Sequence, residues 1–218
     1  MNVRLPWIEN GQPAGIQGLS TTENGAYPLN GATTTPALTA VVRNAGARYW
    51  IPTENEWYKA AYYDPVTDSY FKFATGSNAD PNNALNPAGL NHVNYQKSGV
   101  FTDPVNILTP VGYFANSPSP FGTFDQTGLM TNWTETIPQS HLTDRVYRGG
   151  SWNSPGPNDI SSSFRNSLNP HREIEYIGFR VATVPEPTSG ALAAIGLAIV
   201  ALLAWRRRTL TMNRARPI

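Results

Sequence analysis

The chain has 218 residues, 14% of them charged, with 18 Gly, 19 Pro, no Cys and a formal net charge of +1. The missing cysteines exclude disulfides and thiolate metal sites, and the Gly and Pro content argues against a helical bundle. All 15 acids but only eleven of the 16 bases precede residue 188, so residues 1–187 carry −4, the wrong sign for a nucleic-acid binder.

Residues 1–35 are rich in Gly, Thr, Asn and Pro and read as a loop-rich N-terminal segment. The opening MNVRLPWIENGQPAG has no apolar stretch of the kind a signal peptide needs, so the segment reads as truncated. Ala37 to Val42 fits a short strand or a short helix. In YWIPTENEWYKAAYYDP, Thr53 and Glu56 stand at the spacing of a capping box, and Trp57, Ala60 and Ala61 share one helical face. Asp64-Pro65 stops that helix, which is expected from Glu54 to about Tyr62. Glu54 and Glu56 resemble a catalytic acid pair, but at a helix start they serve capping and the helix dipole.

Residues 74–110 are polar and irregular, and need side-chain amides or a bound cation to hold them. Val111 to Phe114 alternates like a short strand. SPSPFGTFDQTG, residues 117–128, is turn chemistry, with Asp125 placed for a local Asx hydrogen bond. Arg145 to Trp152 is a strand broken at Gly149-Gly150, where a second backbone comes close. The last strand is expected over 177–183, with Ile177, Phe179 and Val181 on one face and Arg180 on the other.

Residues 184–208 read VPEPTSGALAAIGLAIVALLAWRRR. Thr188 to Trp205 carries no charge, and about 27 Å of helix would nearly cross a bilayer core. Arg206, Arg207 and Arg208 would stay cytoplasmic, with 209–218 as a basic tail. Pro185-Glu186-Pro187, one apolar helix and an arginine cluster resemble the PEP-CTERM sorting signal. The resemblance implies export, anchoring in the inner membrane, and recognition of Pro185, Glu186 and Pro187 by an exosortase before release to the cell surface or matrix.

Five stretches in the body occur in a telling order: IPTENEWYKAA (51–61), TPVGYF (109–114), PFGTFDQTGLMTNW (120–133), RVYRGGSW (145–152) and GFRVA (178–182). Together they resemble the formylglycine-generating-enzyme-like, or sulfatase-modifying-factor, domain. The resemblance implies an irregular, loop-rich α+β fold related to C-type lectins over 36–183, followed by one C-terminal transmembrane helix. In that family two cysteines after the Gly-Gly-Ser-aromatic motif bind copper(I) for oxidation of a substrate cysteine. The matching positions here are Ser154 and Asp159. A hydroxyl and a carboxylate are poor ligands for a soft cation. Where relatives support a calcium site with Asn and Glu, this chain has Leu129 and Asn132, which weakens that site. A calcium site near Asn94 stays open.

Two readings of function follow. The first is an exported, non-catalytic binding or structural module. Its candidate groove is Arg148, Trp152, Ser154, Asp159, Phe164 and Arg165, facing a polysaccharide or a peptide. Arg148 and Arg165 either bind an anionic ligand or pair with carboxylates. The second is a nonheme-iron-type oxidoreductase of the same family, using carboxylates with His92, His141 or His171.

Overall fold

The computed structural model describes residues 4–183. Three short α-helices lie in its first third: α1 (Arg4–Glu9), α2 (Thr35–Ala40) and α3 (Glu54–Tyr62). The strands are short: β1 (Tyr49–Trp50), β2 (Tyr63–Asp64), β3 (Ser69–Tyr70), β4 (Thr131–Trp133), β5 (Arg145–Arg148), β6 (Asn166–Leu168), β7 (Ile177–Phe179) and β8 (Ala182–Thr183). A 3₁₀ turn spans Pro157–Ile160. This is the irregular α+β architecture expected. No helix among the described residues is long and apolar enough to cross a membrane. The span read over 188–205 lies outside the described residues, as do Pro185, Glu186, Pro187 and Arg206 to Arg208.

The central sheet runs β6-β5-β4-β7. Its outer pairs differ in sense: β5 and β6 are antiparallel, while β7 lies parallel to β4 with Asn132 opposite Gly178. The expected strand over 177–183 is two strands. β7 closes the central sheet, and β8 pairs with β1, Ala182 opposite Trp50. Between them, Arg180 reaches inward to Asn132 Oδ1 at 2.9 Å and to the Phe124 carbonyl. That anchor ends the strand, and the expected apolar face stops at Phe179, since Val181 is exposed.

α3 forms where its local chemistry predicts. Thr53 Oγ1 accepts the Glu56 N–H at 3.2 Å, and Glu56 Oε2 accepts the Thr53 N–H at 2.7 Å. Burial raises the Glu56 carboxyl, but the Thr53 hydrogen bonds outweigh it and leave the pKa lowered. The buried face is Trp57, Ala61 and Tyr62 rather than the Trp57–Ala60–Ala61 triplet, and Tyr58 packs partly buried on the same cluster. Removing Trp57 would cost about 3–5 kcal/mol.

One expectation is refined, one open alternative is settled and one fails, each for an identifiable reason. The N-terminal segment is not all loop. α1 places Leu5, fully buried, in one cluster with Tyr27, Leu29 and Ile51. Pro6 is tolerated there because first-turn amides have no intrahelical partner. Ala37 to Val42 resolves as helix through Ala40, with Pro36 in its first turn. Val111 to Phe114 is a turn: Gly112 has φ +73° and its N–H donates to Asp125 Oδ2 across the loop. Asp125 thus bonds a distant amide, and the local Asx bond expected of it is replaced.

Amide side chains hold the 74–110 segment. Asn82 Oδ1 accepts the Ala84 N–H at 2.8 Å, and Asn83 donates to the Val100 carbonyl at 2.9 Å. Asn91 donates to the Ala79 carbonyl at 3.0 Å. Tyr95, packed against Phe73, Val93 and Ile160, donates to the Pro81 carbonyl at 2.7 Å, and burial pushes its hydroxyl up to about 12.

Candidate functional site

The Gly-Gly-Ser segment turns because nothing larger fits. Gly149 has φ +96°, and a side chain there would meet the Gln126 carbonyl and, at 3.1 Å, the Trp57 ring. Gly150 has φ +65° and abuts the Asp159 carbonyl. The close backbone approach expected at this pair is therefore present. It folds residues 151–160 back onto themselves.

Ser154 is buried in that fold. Its Oγ accepts the Ser151 N–H at 3.0 Å and faces the Asp159 carbonyl at 3.5 Å. Its own carbonyl accepts the Gln96 N–H at 3.1 Å. Asp159 lies in the 3₁₀ turn, where Pro157 fixes the entry. Serine and aspartate at these positions close a turn. They do not present two soft donors, and the chain has no thiol elsewhere, so copper(I) chemistry does not fit the residues present.

The other groove residues divide into two groups. Arg165 makes a two-pronged ion pair with Glu54, Nε to Oε1 at 2.8 Å and Nη2 to Oε2 at 2.9 Å. Arg148 reaches the same carboxylate at 3.5 Å. It also donates to the Phe164 and Ser162 carbonyls and lies over the Tyr58 ring at 4.9 Å. Burial lowers the Arg148 pKa. Phe164 packs near Tyr147. Trp152 stands apart, its ring 5.9 Å from Phe101. The helix-start position of Glu54 predicts only a capping and dipole role, not that of shared partner to two arginines. No spacing rule joins residues 54, 148 and 165.

Asn132, where relatives are expected to carry a glutamate, holds two nitrogens through one oxygen. Trp57 Nε1 donates to Oδ1 at 3.1 Å and Arg180 Nε at 2.9 Å. That oxygen is engaged by protein donors. Asn94 differs. Its amide nitrogen donates to the Ile107 carbonyl and to Thr109 Oγ1, while its buried Oδ1 has no partner. A lone buried oxygen suits a water or one position of a calcium shell, which needs six to eight. The nearby Asp103 carboxylate is already taken by the Val105 and Asn106 N–H groups.

The histidines do not gather. His92 is buried, with Nδ1 3.0 Å from the Ala84 carbonyl. His141 and His171 are exposed. Among the described residues, no group of three or more His, Cys, Asp or Glu side chains is placed to hold a metal.

A cavity lies elsewhere. It measures about 550 Å³ and is walled by Leu38, Ile51, Trp133, Ile177 and Phe179. Glu135 and Arg145 supply its polar lining, and the exposed His171, Arg172 and Glu173 border it. None of the six expected groove residues lines it. Burial raises the Glu135 carboxyl, whose Oε1 accepts from the Tyr27 hydroxyl, and Tyr27 is in turn raised by burial and by Glu135. The lining comes from five separate stretches of chain, so no local motif announced it.

Comparison with known proteins agrees with this architecture. The chain is 32% identical to hercynine oxygenase of Mycolicibacterium smegmatis over 159 residues, covering 63% of this chain and 33% of that protein. It is 29% identical to hercynine oxygenase of Mycobacterium tuberculosis over 155 residues, covering 63% and 32%. The chain thus spans about a third of the length of these relatives. The crystal structure of CarF superposes with a TM-score of 0.52 at 20% identity, over 68% of this chain and 52% of that one, a likeness of fold alone. Residues 183–208 match the PEP-CTERM protein-sorting motif, the mark of an exported protein recognised by exosortase. Residues 18–184 match the sulfatase-modifying factor enzyme 1-like domain, and the chain belongs to that family.

Proposed function

We propose that this exported protein carries a non-catalytic sulfatase-modifying-factor domain, used for binding or surface architecture. The apolar segment over 188–205 anchors it in the inner membrane until an exosortase processes it near Pro185-Glu186-Pro187. Ser154 carries the reading: at a position where the family's chemistry needs a thiolate, its hydroxyl closes a backbone turn. The test uses the full purified chain with copper(I), dioxygen and a cysteine peptide. Oxygen uptake should not rise above the protein-free rate, and thiol should not be lost. Uptake coupled to thiol loss would overturn the reading.

The likeness to hercynine oxygenases supports a second reading, an oxidoreductase of different chemistry. His171 borders the cavity and Glu135 lines it, so an imidazole and a carboxylate face one space there. Iron would then co-purify stoichiometrically without chelator and be lost in His171→Ala. Iron-free protein, or iron unaffected by that change, would remove this alternative.

A further inference from the structure

Arg145 is the least conventional feature of the 550 Å³ cavity. It sits on β5, 7% exposed, and spends its terminal nitrogens on backbone. Nη1 donates to the Glu135 carbonyl, and Nη2 donates to the Thr39 carbonyl at 3.1 Å and the Val41 carbonyl at 2.8 Å. Its Nε is buried with no partner. Among the described residues, no carboxylate lies within ion-pair distance of it. A buried cation held only by carbonyl dipoles favours an anion beside it.

The carboxylate nearest in charge terms is Glu135, and it is committed elsewhere. It takes the Tyr27 hydroxyl and lies 3.8 Å from Arg43. Arg43 is itself stacked on Trp50. The lining charges balance, Arg145 and Arg172 against Glu135 and Glu173, but Glu135 is shared with Arg43 from outside the lining, which leaves Arg145 without a carboxylate of its own. The walls are apolar and aromatic, and the volume falls within the range of small-molecule sites.

We propose that this cavity binds a small organic acid: a carboxylate on an aromatic or branched apolar body. The acid group meets Arg145, and the body lies against Trp133, Ile177 and Phe179. This site is separate from the Ser154 turn, and it stands whether or not the domain is catalytic.

The probe is N-acetylphenylalanine, titrated against the full chain in detergent by ligand-observed NMR. N-acetylphenylalaninamide, the neutral isostere, is the control. The acid should bind saturably, and the amide at least about tenfold more weakly. Arg145 also anchors three carbonyls, so its own replacement risks unfolding. Ile174→Trp, on the β6–β7 loop at the cavity wall, fills the space instead. It should abolish acid binding with the melting midpoint unchanged. Equal binding of acid and amide, retained binding in Ile174→Trp, or no saturation up to about 10 mM, a free energy near that of millimolar affinity, would each overturn the proposal.

Discussion

Glu54 and Arg165 stand 111 residues apart and meet in a two-pronged ion pair that ties the first turn of α3 to the edge of β6. The same carboxylate faces Arg148, whose side chain is 4% exposed, against 45% for Arg165. The two arginines should therefore depend on it unequally. Removing Glu54 leaves a buried cation without its carboxylate, whereas removing Arg165 deletes a largely solvated one. Glu54→Gln should cost about 2–4 kcal/mol, and Arg165→Ala less than about 1 kcal/mol. Urea unfolding of both variants checks the order. Equal losses would mean that Arg148 is held by the Phe164 and Ser162 carbonyls alone.

Ser154 offers a sharper test of a residue built for structure. Its Oγ is the acceptor for a buried Ser151 N–H. Ser154→Ala strands that donor and should cost about 1–3 kcal/mol. Ser154→Cys keeps the volume but supplies a weaker acceptor, so it should fall between. Binding of N-acetylphenylalanine should be unchanged in both, because Ser154 does not line the large cavity. Denaturation midpoints and the same NMR titration decide this.

These two cases show which parts of the molecule could be read from sequence. α3 was legible because a capping box is a four-residue code, and Thr53 and Glu56 satisfy it locally. Gly149-Gly150 was legible because consecutive glycines before a packed turn have few other uses. Val111 to Phe114 misled because alternation over four residues carries little weight against Gly112 at positive φ and the long-range bond to Asp125. The parallel pairing of β4 with β7, the Glu54–Arg148–Arg165 cluster and the cavity all join residues far apart in sequence. Their chemistry emerges only once the chain has closed. The capping residue Glu56 announced its partner three positions away, while Glu54 two positions earlier found its partners beyond residue 147.

Asn94 gives the calcium reading its test. Its Oδ1 is buried and unpartnered, so a bound cation would gain a ligand there without displacing a protein donor. At ten times its dissociation constant, calcium ligated by this oxygen should stabilise the fold by about 1.4 kcal/mol. The gain should vanish in Asn94→Ala and on adding EGTA. Thermal melts with and without calcium measure it. A midpoint indifferent to calcium would assign the oxygen to water.

Glu135 makes the fold's pH response specific. Burial raises its carboxyl, opposed by the Tyr27 hydroxyl, Arg43 and Arg145, and reinforced by Glu56. A raised carboxyl means the folded state prefers the protonated form. The stability it contributes is therefore full below the ordinary carboxylate range, near about 4.3, and is lost as pH rises through the folded value. Glu135→Gln keeps an acceptor for Tyr27 and cannot ionise. The variant should gain on the parent as pH rises from about 4 and hold a constant lead at neutral pH. Glu56, whose pKa is lowered, acts in the opposite sense but is present in both proteins, so it cancels in the difference. Urea midpoints of the pair across this range give the sign. A lead that shrinks as pH rises would show that Arg43 and Arg145 stabilise the charged carboxylate more than burial penalises it, so that Glu135 already serves Arg145 as its anion.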